Sequence, residues 1–235
     1  MPIMSLEYQT NGYCADHQAI SAKDCFESLT MNQKSLVEKS TSILQFAKGE
    51  TIIKQGFVAS HILYIEKGLA KLDVTNDSKL STLKLLSNDS FVGIMCSFAC
   101  RNLDFSAVAL EDTTIRMIDM DIFLSLIKEN GEFALRLMRH MSSLTNEIMH
   151  RTSRIAGKNV EGSLAMILNE FKEIYKSNTF TLPVTRVGLA SLAGCSKESA
   201  INTLAKFHND GIIHLKDKCI TLIKQESLDL IIKNG

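Results

Sequence analysis

Residues 185–210, TRVGLASLAGCSKESAINTLAKFHND, carry the punctuation of two short helices set about a turn. Thr185 can cap a helix over Arg186–Ala193, because its hydroxyl accepts one of the backbone N–H groups that a helix start leaves unpaired. Gly194 ends that helix, Ser196 caps a second from Lys197 to about Asn209, and Gly211 terminates it. Ala190 suits a close approach of the two helices. Leu189, Leu192, Ala200, Ile201 and Leu204 are the apolar candidates for contact between them. Downstream, Ile212–Leu215 and Cys219–Ile223 flank Lys216–Lys218 and read as a hairpin. Upstream, Glu161–Lys176 presents Leu164, Ile167, Leu168, Phe171 and Ile174 at helical spacing. Two helices about a glycine turn, backed by a hairpin, describe a winged helix-turn-helix.

Polar side chains gather at the start of the second helix. Glu198 can accept from the N4 amine of cytosine and Asn202 can pair with adenine, with Ser196 and Ser199 beside them as further base contacts. Thr185, Arg186, Lys197 and Lys206 suit phosphate. The alternative is an ordinary helical pair with a solvated polar face.

Working toward the N-terminus, residues 121–156 have a helical pattern. Leu137, Met141, Leu144 and Ile148 form an apolar stripe that Ile155 resumes after Arg151. The stripe is either a coiled-coil-like homodimer seam or the face of a helix packed on its own domain. Residues 41–125 read as short strands: Ile62–Ile65, Ala70–Val74, the leucines 80–86, Val108–Leu110 and Thr114–Ile118. Gly49, Gly56, Gly68 and Gly93 punctuate them. That series predicts a β-sandwich or small barrel able to enclose a small ligand.

The 235 residues hold 26 Lys and Arg against 26 Asp and Glu, with 45% hydrophobic residues, enough for a sizeable core. The neutral total is unevenly spread. Residues 1–127 hold 11 basic and 15 acidic side chains, a balance of −4, and residues 128–235 hold 15 and 11, a balance of +4. Opposite biases suggest two domains with different partners. No apolar run approaches the roughly 20 residues of a membrane span. MPIMSLEYQTNGYC lacks both the basic start and the apolar stretch of a secretory signal, so a cytoplasmic location is expected. Cysteines at 14, 25, 96, 100, 195 and 219 are irregularly spaced with no CxxC, which predicts free thiols rather than a disulfide framework.

Together these fragments resemble the CRP/FNR superfamily of bacterial transcription regulators. FAKGETIIKQGFVASHILYIEKGLAKL (46–72) resembles the family's barrel signature, LPVTRVGLASLAGCSKESAINTLAKFHNDGII (182–213) its helix-turn-helix, and DKCITL (217–222) the wing strand of the FNR-like branch. The order and spacing match over nearly all of the chain. The resemblance implies an α+β chain: an N-terminal extension (1–30), a β-roll sensor of the double-stranded β-helix, cyclic-nucleotide-binding type (31–125), a dimerisation helix (126–157) and a winged helix-turn-helix (158–235). It implies a homodimer that binds an imperfect palindrome in double-stranded DNA, contacts RNA polymerase and acts as an activator or repressor. Glu198 matches the family's base-reading glutamate. Asn202 stands where Arg is usual, which predicts an altered half-site.

Two sensor chemistries of the family are incomplete. The cAMP-binding branch carries Gly-Glu and then Arg-Ser, whereas here Gly93 precedes Ile94 and the later position holds residues such as Leu103 and Asp104; no cAMP site is expected. The oxygen-sensing branch holds a [4Fe-4S] cluster on four cysteines. Here Cys14 and Cys25 resemble the outer two of the N-terminal set, and Arg116 occupies the barrel position. A conventional cluster is therefore not expected. Cys14, Cys25, Cys96 and Cys100 are the candidates for a variant redox or metal switch, no metal is assigned, and the other options are a small-molecule effector, a haem near His17, His61 or Met95, or no effector at all. No nucleophile–base set, HExxH or phosphate loop points to an enzyme. The remaining alternative is a sensing module that has lost specific DNA binding.

Overall fold

The computed structural model describes residues 21–76, 79–99 and 102–235. Two short helices come first, α1 (Ala22–Glu27) and α2 (Met31–Lys39). Each opens on a reciprocal capping box, Ser21 with Asp24 and Thr30 with Gln33, which satisfies the orphan N–H groups of the first turn. The strands that follow are β1 (Thr41–Phe46), β2 (Thr51–Ile53), β3 (His61–Lys67), β4 (Ala70–Asn76), β5 (Lys79–Leu86) and β6 (Ser90–Val92). After helix α3 (Ile94–Ala99) come β7 (Ser106–Ala109) and β8 (Thr113–Asp119). They pair antiparallel into two four-stranded sheets, β1-β8-β3-β6 and β2-β7-β4-β5. Leu63, Ile65, Ala70, Leu72, Leu86, Val92, Ala107 and Ile115 fill the roll between them. At Gly68 the chain turns with φ +118°, and a Cβ there would lie 2.5 Å from Thr113 Oγ1. Only glycine lets the β3–β4 turn approach β8 so closely.

Residues 21–30, read from the sequence as part of an extension, contribute side chains to the sensor core. Ala22, Cys25 and Leu29 are buried with Ile62, Tyr64, Phe91, Phe123 and Phe133. Phe26 meets the Tyr64 ring edge-on with centroids 5.5 Å apart.

The helical segment is two helices, α4 (Met120–Glu129) and α5 (Gly131–Ala156). Asn130 separates them, closing α4 and capping α5 through a 3.0 Å bond from Phe133 N–H to its Oδ1. The stripe read as a seam is partly covered within the protomer itself. Leu137 (3% exposed) and Leu144 (8%) are enclosed within their own protomer. Leu137 and Met141 pack on the sensor core and Ile155 on the C-terminal core, while Ile148 is half-buried. Periodicity reveals an apolar face but not what covers it. On α5, Leu135 (41% exposed), Met138 (64%) and Met149 (64%) are left uncovered instead.

The remaining elements are α6 (Val160–Tyr175), β9 (Thr179–Thr181), α7 (Arg186–Ala193), α8 (Lys197–Asn209), β10 (Ile213–Lys216), β11 (Cys219–Leu222) and α9 (Gln225–Asn234). A sheet in the order β10-β11-β9 backs the helices. Both α7 and α8 have the bounds read from the sequence. The hairpin gains β9 as a third strand. Leu69, Leu85 and Leu110 of the roll join the core formed by α6 to α9, so apolar packing is continuous between the halves. Among the described residues, no helix is long and apolar enough to cross a membrane.

Candidate nucleic-acid interface

Local bonds set the two helices. Thr185 Oγ1 accepts from Gly188 N–H at 3.1 Å, and Gly194 closes α7 at φ +66°. Ser196 Oγ accepts from Ser199 N–H at 3.0 Å and donates to Ser199 Oγ at 2.9 Å. These two serines are thus engaged in capping α8, with Ser196 exposed and Ser199 half-buried. Ala200, Thr203, Leu204 and Phe207 form the buried face of α8. Lys197, Glu198 and Asn202 lie exposed on its other side. Glu198, in the first turn, is where the helix dipole favours a carboxylate.

Ile201 differs from its sequence reading. Expected among the helix contacts, it is 41% exposed. It sits three residues after Glu198 and beside Asn202, where an apolar group can meet a thymine methyl. Its aliphatic side chain favoured a core reading; a helix-by-helix count of faces separates it from Ala200 and Leu204.

The phosphate candidates divide. Arg186 Nη2 donates to the carbonyl of Asp217 in the wing turn at 2.7 Å, joining the start of α7 to the hairpin. Burial lowers its pKa from the ordinary value, though a guanidinium remains charged. Lys216 and Lys218 flank that turn and are exposed, adding cations that the sequence reading treated only as a spacer. Among the described residues, Lys197 makes no ion pair. Lys206 is set apart: it lies nine residues along α8, about 13 Å of helix rise, and pairs with Glu161 at 2.6 Å. That bond raises its pKa.

Among the sensor candidates, Cys14 and Cys100 lie outside the described residues. The Cys25 thiol is fully buried, and its pKa is pushed up to about 12, first by burial and then by the Asp24 charge. A thiol so held is a poor metal ligand at neutral pH. Cys96 is also buried, and its Sγ lies 3.8 Å from Asp104 Oδ2. Among the described residues, no three His, Cys, Asp or Glu side chains converge as a metal site. Ile94, which follows Gly93, is buried in the sensor core. Arg116 is bonded to Glu66 through both Nε and Nη2.

Comparison with known proteins agrees with this architecture. Residues 43–130 match the cyclic nucleotide-binding domain family, and residues 163–231 match the Crp-like helix-turn-helix domain family. The chain is 26% identical over 199 residues to Electron transport regulator A of Shewanella oneidensis, covering 80% of this chain and 77% of that protein. A crp/fnr-family regulator from Eubacterium rectale superposes with a TM-score of 0.74 at 20% identity, covering 89% of this chain and 97% of that one. FixK2 from Bradyrhizobium japonicum gives 0.73 at 15% identity, with 81% and 96% covered. These matches reach both the roll and the helix-turn-helix in the same order: the chain belongs to the CRP/FNR superfamily of transcription regulators.

Proposed function

We propose that this DNA-binding regulator acts as a cytoplasmic homodimer, reads an imperfect palindrome with α8 and works through RNA polymerase. The exposed face of α8 carries the reading. Glu198, Ile201 and Asn202 offer an acceptor, an apolar contact and an amide to base edges. Thr185, Arg186, Lys197 and the wing lysines 216 and 218 supply phosphate contacts around them. Lys206 contributes less, because Glu161 shares its charge.

The dimer seam runs along the face of α5 that the protomer leaves open: Leu135, Met138, Ser142, Thr145 and Met149. Their spacing of three, four, three and four is the 3.5-residue repeat of a two-helix seam, and none is charged. The effector is not a cyclic nucleotide, since Ile94 is apolar where the family's ligand-binding acid stands. A conventional cluster is not part of this reading, because Arg116 stands where the family's barrel cysteine does.

The test is selection of bound sequences from random duplexes, followed by titration of the selected site. Wild type is expected to select a two-fold site and to lose affinity steeply with salt. Glu198→Ala should lose about 1–3 kcal/mol of discrimination at one base pair per half-site. Equal weakening on every sequence would remove Glu198 from base reading, and no selected site would favour the sensing module without specific DNA binding.

A further inference from the structure

A cavity of about 440 Å³ lies where β5, the end of α5, the start of α6 and α7 meet. Its size falls in the range of small-molecule sites, about 300–1,000 Å³. Ile155, Val160 and Leu192 give it an apolar wall, and Ser81 and Ser191 add hydroxyls. Arg151 and Lys158 are its charged side chains; no described Asp or Glu lines it. Lys158 Nζ is occupied by the Ile232 carbonyl.

Arg151 is only partly satisfied. Its Nη1 donates to the carbonyls of Thr82 at 3.2 Å and Leu83 at 3.1 Å, and its Nε lies 3.4 Å from Glu170 Oε2. Its Nη2 is enclosed and meets no acceptor. An unpaired donor on a largely buried cation is costly, and an oxyanion is the group that best relieves it. We propose that this junction binds a small organic oxyanion, with an apolar body against Ile155, Val160 and Leu192 and a carboxylate or phosphate head at Arg151. Such a ligand touches the sensor strand β5 and the first helix of the helix-turn-helix together. Its occupancy therefore sets how α7 is held against the roll. The site is separate from the filled interior of the roll, and its binding can be measured without DNA, independently of the function proposed above.

The experiment titrates the full-length protein with phenyl phosphate and with benzoate, following heat of binding and melting temperature. Inorganic phosphate and phenol are the controls for head and body alone. At least one organic anion should bind saturably and raise the melting temperature, with both controls at least about tenfold weaker. The stronger of the two anions identifies the head. Arg151→Gln should lose that binding. Because Arg151 also holds β5, a second variant, Ser81→Phe, fills the cavity while keeping the guanidinium, and it should lose binding as well. Absence of saturable binding by both anions, equal binding by phenol, or undiminished binding to Ser81→Phe overturns the site.

Discussion

The Cys25 thiol sits fully enclosed on α1, its Sγ donating to the Ser21 carbonyl at 3.5 Å. Burial, reinforced by the Asp24 charge, holds its pKa near 12 against an ordinary value of 9.0. The sign of the resulting pH dependence follows. Below pH 9 the folded and unfolded chains both carry the proton. Above it the unfolded chain releases the proton while the folded chain retains it, so stability falls as pH rises toward 12. Between pH 8 and 10 wild type should lose roughly 1–1.5 kcal/mol from this group. Urea unfolding at the two pH values measures it, and Cys25→Ala should show a correspondingly smaller loss. Equal losses in both proteins would mean that the burial of Cys25 is not the source. A cysteine's spacing in sequence gave no hint of this environment, because burial is set by Tyr64, Phe91 and Phe133 from distant strands and helices. Glu198 and Asn202, by contrast, were legible as exposed because each lies among the polar positions of a helix whose cap is local.

Helix α5 has two faces with different tasks. Leu137 and Leu144 secure it to its own protomer, and Leu135, Met138 and Met149 remain open. In the homodimer proposed above, Met138→Glu should therefore leave a monomer at low micromolar concentration, as read by light scattering after size exclusion, with the protomer still folded. Leu137→Ala should instead lower unfolding stability by about 2–5 kcal/mol through cavity formation, while the folded fraction remains dimeric. A Met138→Glu dimer would place the seam elsewhere. The sequence stripe picks out the buried side of α5 because that side is richer in leucine and isoleucine than the uncovered side. The bounds of α7 and the start of α8 were legible, since Thr185, Gly194 and Ser196 are signals carried within one turn. Strand β9 has three residues, too few for a period, and α9 opens after Lys224, which makes no side-chain cap bond.

The two halves differ in charge, −4 against +4 by residues 1–127 and 128–235, yet they are not mechanically separate. Leu69, Leu85 and Leu110 extend from the roll into the core of the C-terminal helices. Polar bonds surround that junction: Tyr175 donates to Glu111, Lys84 pairs with Glu147, and Arg151 holds the carbonyls of Thr82 and Leu83. Each of these pairs is more than 60 residues apart, so the junction could not be read from local patterns. Two domains that share buried apolar surface unfold together when the shared interaction exceeds the difference in their own stabilities. Calorimetry on wild type should accordingly show one transition. Leu110→Ala removes a 5%-exposed side chain from the junction, at a cost of about 2–5 kcal/mol. It should separate the trace into two transitions, whereas Leu204→Ala, on the buried face of α8, should lower stability without weakening the junction itself. A single undivided transition in Leu110→Ala would show that the polar bonds alone suffice to couple sensor and helix-turn-helix.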